Sequence, residues 1–173
     1  DLSRGNVSGI EWDIDIETHT AKKVQHNLLH VKVKDTNCLA IYKSPSKVKG
    51  RKLLMKDRNM WFIKPGLSKP VPISPRQKLL GGASNGDIAS TNYAGDYIIE
   101  QFEAEQLGSE PCIRFELKAR NKKVTYDRIR YWVSVSDKTG KKALFFTLSG
   151  KPFKSARFEY DHTIETNGET RPF

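Results

Sequence analysis

The residues with the most chemical potential lie in a few separate places, and none of them forms a constellation that a reaction needs. Gly81-Gly82-Ala83-Ser84-Asn85-Gly86-Asp87 superficially resembles a phosphate-binding loop, but no lysine and hydroxyl residue follow the last glycine, and Asp87 would repel phosphate. It reads instead as a glycine-rich loop leading into a short capped helix. Of the histidines at 19, 26, 30 and 162, His26 and His30 are spaced i, i+4. They fall in a strand pattern, where that spacing separates them by about 13 Å, too far for one metal ion, so solvated strand histidines are expected. Cys38 and Cys112 lie far apart without a CxxC or paired histidines nearby, which argues against zinc and leaves one disulfide or two buried thiols equally open. No serine sits in a G-x-S-x-G context. In an enzyme acting on a lipid or glycan Asp87, Asp96 and Asp127 would be the first acids to inspect, but nothing in their spacing recommends them. Asn6-Val7-Ser8 matches a glycosylation triplet, a pattern common by chance.

The expectation is therefore binding without catalysis, and bulk properties narrow the partner. The 173 residues suit one domain, 1–173, with a sizeable core. A formal charge of +10 points to an anionic partner, either nucleic acid or anionic lipid. No apolar run approaches the ~20 residues of a membrane-spanning helix. The chain begins with Asp1 and shows no basic-then-apolar leader, as either a mature form with its signal peptide removed or a trimmed chain would, so export is allowed without being shown.

The elements that must position any site read as strands. Ile10-Glu11-Trp12-Asp13-Ile14-Asp15-Ile16-Glu17 alternates apolar and acidic residues, which gives a strand with one dry and one wet face. Residues 22–34 and 37–43 flank a turn at Asp35-Thr36-Asn37, with Leu29, Val31 and Val33 on one face. Lys52 to Lys56 and Met60 to Ile63 flank Asp57-Arg58-Asn59, a second tight hairpin on which Trp61 and Ile63 point the same way. Five prolines between Pro65 and Pro75 forbid a central strand. Pro75 to Leu80, stopped by Gly81-Gly82, suits one or two helical turns, and Ala83 to Asp96 reads as a flap.

Strands return with Ile113, Phe115 and Leu117, then Ile129, Tyr131 and Val133, then Leu144, Phe146 and Leu148, with a last one near Phe153 to Tyr160 before a polar turn at 166–170. Residues 97–107 also fit a helical period through Ile98, Phe102 and Glu105, but are expected as strand. Eight to ten strands without βαβ alternation imply a mostly β fold, a strongly curved antiparallel sheet or open barrel. Its bulky apolar face then needs a cover, and the visible helices are too short to supply one.

Three runs carry a family resemblance: Pro45-x-x-x-Lys49-Gly50-Arg51-x-Leu53-Leu54, Asn59-Met60-Trp61-Phe62-Ile63-x-Pro65 and Val71-Pro72-Ile73-Ser74. It continues through Leu80 to Ala89, Asp96-Tyr97, Val124 to Ile129 and Ser149-Gly150-Lys151. In order and spacing these closely resemble the LolA-like outer-membrane lipoprotein-sorting protein family. The resemblance implies an unclosed (half) β-barrel, with short helices and a flap over a concave hydrophobic face that shelters lipid or lipoprotein acyl chains in the periplasm. It also implies a companion transporter of the resistance-nodulation-division (RND) type and an outer-membrane acceptor. The chain stops at Thr170-Arg171-Pro172-Phe173, where the resemblance implies further C-terminal strands.

On this reading Trp12, Ile14, Ile16, Leu29, Val31, Trp61, Ile63, Ile113, Phe115, Leu117 and Tyr131 line a hydrophobic cavity, and Leu79, Leu80, Asp87 and Ile88 belong to the flap. The positive surface then meets anionic headgroups or an acidic transporter surface. No cofactor, metal or catalytic residue is expected. The rival is a basic β domain that binds nucleic acid or another polyanion through Lys43 to Lys56 and Arg114 to Lys123, although those residues alternate with apolar ones and form no groove-reading helix.

Overall fold

The computed structural model describes residues 9–80, 82–89, 92–166 and 168–172. The chain divides into two compact units, one of Ser8–Asn92 with Lys123–Thr125, the other containing Tyr93–Lys122 and Tyr126–Phe173. The strands of both pair antiparallel, in the mostly β architecture that the alternating patterns predict.

The first unit is built on a six-stranded meander: β1 (Ile10–His19), β2 (Val24–Lys34), β3 (Asn37–Ser44), β4 (Lys52–Lys56), β5 (Asn59–Ile63) and β6 (Val71–Ile73), paired in chain order. The edge strand β1 is fixed to β2 by charge as well as by backbone pairing. Its acids Glu11, Asp13 and Glu17 stand opposite Lys32, His30 and His26. His30 Nδ1 and Nε2 each lie 2.7 Å from a carboxylate oxygen, of Asp13 and Glu11 respectively, and Lys32 Nζ is 3.0 Å from Glu11. Such opposite-charge cross-strand pairs each add a few tenths of a kcal/mol.

Asp57 and Arg58 both take positive φ, 49° and 63°, the two-residue hairpin geometry whose twist matches the flanking strands. The proline-rich stretch forms only the three-residue edge strand β6, where Pro72, lacking an N–H, leaves no central ladder broken.

The structure corrects the expected count of eight to ten strands, since fifteen are found among the described residues, and it corrects one element in kind. Pro75 to Leu80 forms no helix; Lys78–Leu80 is a short strand, β7, paired with β8 (Ala83–Ser84). The Ser74 N–H donates to Gln77 Oε1, and the Pro75 and Gln77 carbonyls accept from the Gly86 and Asn85 N–H groups, so these carbonyls bind a later segment rather than a helical successor. Helix begins at α1 (Asn85–Ala89), followed by α2 (Tyr93–Asp96). Asp87 Oδ2 accepts from the Ser84 N–H at 2.7 Å and from Ser84 Oγ at 2.9 Å, which completes half of a capping box at the start of α1.

The second unit is a five-stranded sheet of β9 (Tyr97–Leu107), β10 (Glu110–Ala119), β11 (Arg128–Ser134), β12 (Gly140–Phe146) and β13 (Pro152–Arg157), with β9 and β13 at its edges. A separate hairpin joins β14 (Thr163–Thr166) to β15 (Glu169–Pro172). Neither large sheet closes on itself.

One face of the five-stranded sheet is ionic. Arg114 bonds to Glu103 and lies 2.7 Å from Glu105 and 2.5 Å from Glu116, while Trp132 Nε1 donates to Glu105. Beyond β11, Asp137 closes a turn. Partial burial pushes its carboxyl up, but hydrogen bonds from Lys141 Nζ, Thr139 Oγ1 and the Thr139 N–H outweigh this and hold it well below the usual carboxylate range.

Candidate functional site: two apolar sheet faces

On the six-stranded sheet, register places Trp12, Val31, Ala40, Leu53 and Phe62 in one row and Ile14, Leu29 and Tyr42 in the next. Five of the expected lining residues, Trp12, Ile14, Ile16, Leu29 and Val31, thus belong to one face. Leu29, Val31 and Ala40 are completely buried, and Ile88 and Ala89 of α1 join the same cluster. Trp12, Ile14, Ile16 and Leu79 are half-buried against it. Of the expected flap, then, Ile88 and Leu79 pack on this face and Asp87 serves as a helix cap. Leu80 lies in β7, and its side chain falls outside the described residues, as do Gly81 and the Asn6 to Ser8 triplet.

Trp61 and Ile63 do not join them. The two-residue turn at Asp57-Arg58 sets Met55 opposite Met60 and Leu54 opposite Trp61. Because side chains alternate, Met60 and Phe62 take the core face, and Trp61 and Ile63 project from the other.

On the five-stranded sheet Phe102, Phe115, Tyr131 and Ala143 form one row and Ile99, Leu117, Ile129 and Phe145 another, so Ile113, Phe115, Leu117 and Tyr131 share a face as expected. Ile129, Phe145, Tyr131 and Leu117 are buried there, the last two at 4% and 8% exposure. Aromatic rings reinforce this end, with Tyr93 and Tyr131 centroids 4.9 Å apart edge to face and Tyr126 and Phe145 4.1 Å apart.

Toward the edge the same face becomes wet. Phe115 is half-buried, whereas Ile99 and Phe102 on β9 are 57% and 69% exposed, and an open groove of about 630 Å³ runs along Ile99 to Glu103. Neither was expected as a site residue. A bulge at Glu100 of β9, opposite the step from Glu116 to Leu117 of β10, leaves Ile99 and Phe102, three apart, on one face of β9 and hides the alternation there.

Among the described residues no cluster of three or more His, Cys, Asp or Glu side chains is arranged to hold a metal ion. Cys38 and Cys112 are buried thiols in different units and form no disulfide, and burial is the main reason the Cys112 thiol is pushed up. No helix among the described residues is long and apolar enough to cross a membrane.

With this geometry in hand the chain can be set beside known proteins. A family model described as an uncharacterized protein matches residues 34–172. A LolA superfamily protein from Nitrosomonas europaea superposes with a TM-score of 0.87 at 29% identity, over 99% of this chain and 78% of that one. The chain belongs to the family that this model describes, and its fold is LolA-like.

Two further structures share the LolA-like fold. A putative outer membrane lipoprotein-sorting protein domain from Vibrio parahaemolyticus has a TM-score of 0.77 at 16% identity, covering 95% of this chain and 74% of that one. A DUF1329 family protein from Desulfovibrio piger has 0.75 at 17%, covering 94% and 75%. No curated protein matches the sequence.

Proposed function

We propose that this LolA-like chain is a non-enzymatic periplasmic carrier, 1–173 acting as one lipid-binding domain, that takes up lipid or lipoprotein acyl chains for delivery toward the outer membrane. An RND-type inner-membrane transporter is the candidate donor. The observation that carries the reading is Ile99 and Phe102, more than half exposed beside Phe115 on a face whose Tyr131, Ile129, Ala143 and Phe145, on the inner strands, are buried. A large apolar patch left in water marks a binding surface.

A hydrocarbon tail laid along this strip replaces water on Ile99, Phe102, Ile113 and Phe115, while Leu117 and Tyr131 form the buried floor beside it. On the six-stranded sheet the half-buried Trp12, Ile14 and Ile16 of β1 offer an apolar surface of their own, and Leu29 and Val31 on the same face are already covered. Each methylene removed from water contributes about 0.8 kcal/mol, so a dozen carbons supply roughly 10 kcal/mol before ordering costs. The likeness to a lipoprotein-sorting domain supports the choice of ligand.

Mass spectrometry of an organic extract of the purified protein is expected to show a bound lipid, and Phe115→Glu is expected to abolish uptake of a fluorescent fatty acid. A lipid-free extract from a protein that also takes up no fatty acid would refute the reading. Ile14→Glu tests the contribution of β1 in the same way.

A further inference from the structure

We propose that the β3–β5 part of the second face of the six-stranded sheet, the part that carries Trp61, docks on the surface of an anionic lipid bilayer. This goes beyond acyl-chain binding and uses different residues.

The positive charge is concentrated in one stretch of the chain. Between Asn37 and Gly86 the sequence holds eleven lysines and arginines and a single acid, Asp57, so these fifty residues carry a net +10, the same as the whole chain. Everything else is balanced. The segment includes β3, β4, β5 and β6, and register shows what it displays on the second face. Leu39, Leu54 and Trp61 stand in one row, and Ile41, Lys52 and Ile63 in the next; the same rows run on through Lys32 and His30 of β2 to Glu11 and Asp13 of β1, so the acids of this face are gathered on β1 against basic partners and the β3–β5 part carries none.

All five apolar side chains in those rows are half-buried, neither packed in a core nor free in water, while Lys43, Lys52 and Lys56 on the same face are exposed. None of these three lysines has an acidic partner among the described residues, in contrast to Lys32, which Glu11 engages.

Unpaired ammonium groups around an aliphatic strip with a tryptophan in it match one environment closely. At a bilayer interface ammonium groups reach anionic headgroups while their stems and the neighbouring Leu and Ile side chains meet the acyl boundary, and tryptophan concentrates at that depth. Each basic residue near such a surface strengthens binding roughly fivefold. A nucleic acid would use the charges but leave the aliphatic strip without a partner, and single-strand binders stack bases on several aromatic rings where this face offers one.

The test is flotation of the intact protein with vesicles of phosphatidylcholine alone and of phosphatidylcholine mixed with phosphatidylglycerol. Binding to the anionic vesicles is expected to be strong in low salt and largely lost in molar salt. The triple change of Lys43, Lys52 and Lys56 to Gln is expected to weaken it about a hundredfold, and Trp61→Ala to weaken it while removing the vesicle-induced blue shift of tryptophan emission. All three lysines are exposed, so the triple variant is expected to fold.

Phe102→Ala, on the other sheet, is expected to bind vesicles as the parent does, which separates this inference from the acyl-chain reading. Equal binding to both vesicle types overturns the proposal, as does a triple variant that binds like the parent. Tighter binding to a single-stranded oligonucleotide or to polyglutamate than to the anionic vesicles would assign the face to a different partner and overturn it as well.

Discussion

Replacing Phe102 by alanine separates ligand binding from folding more sharply than any other single change. Phe102 is 69% exposed. A phenylalanine offers ~200 Å² of surface, so roughly 140 Å² awaits a ligand and about 60 Å² is already covered, mainly by Phe115, whose ring centroid is 6.2 Å away. At about 25 cal/mol per Å² the uncovered part corresponds to ~3.5 kcal/mol of binding free energy, of which the alanine methyl keeps a fraction, and the covered part to ~1.5 kcal/mol of folding free energy. Phe102→Ala is therefore expected to weaken a fluorescent fatty acid roughly a hundredfold in a titration. Urea denaturation should show a loss of stability of no more than about 1.5 kcal/mol. Phe102→Leu keeps much of the apolar area and should recover most of the affinity. If the alanine variant, shown to be folded by its urea transition, binds within twofold of the parent, the exposed strip on β9 is not where the chain lies.

Other substitutions probe the scaffold. Leu29→Ala empties a fully buried position and is expected to cost about 2–5 kcal/mol in urea denaturation; a loss below ~1 kcal/mol would mean that the face is loosely packed. Asp87→Ala removes the acceptor for both Ser84 donors and should lower stability by ~1 kcal/mol, read as a shift of the urea midpoint. Asp137 titrates lower in the folded chain than when unfolded, so its contribution is present at neutral pH and fades as pH falls below about 4. Asp137→Asn should thus be less stable than the parent at pH 7, with the gap narrowing as the solution is acidified; a gap that widens in acid would contradict the sign.

Much of this architecture can be read from residue alternation. Ile10 to Glu17 names its own faces, and Ile113 to Leu117 and Ile129 to Val133 are brought onto one face by plain antiparallel pairing. What alternation leaves undetermined is the relation between strands. Trp61 and Ile63 share a side, but which side depends on the count of residues in the turn, and two residues put Met60 and Phe62 inside. The strip on β9 escapes notice because a bulge breaks the period between Ile99 and Phe102. Pro75 to Leu80 has the punctuation of a helix, yet its carbonyls are claimed by Asn85 and Gly86, a tertiary competition that no local propensity encodes. Asp87 is legible as a capping residue and not as a lipid contact, since Ser84 precedes it by three positions.

The short reversal at Asp57-Arg58 has a consequence for how such a surface can change over time. Point substitutions in β5 adjust one side chain at a time, but gaining or losing a single residue between β4 and β5 would exchange the wardrobe of the whole strand, sending Trp61 and Ile63 inward and bringing Met60 and Phe62 out. Related chains that differ in the length of this reversal are therefore expected to differ abruptly in what they touch, even where their strand sequences agree.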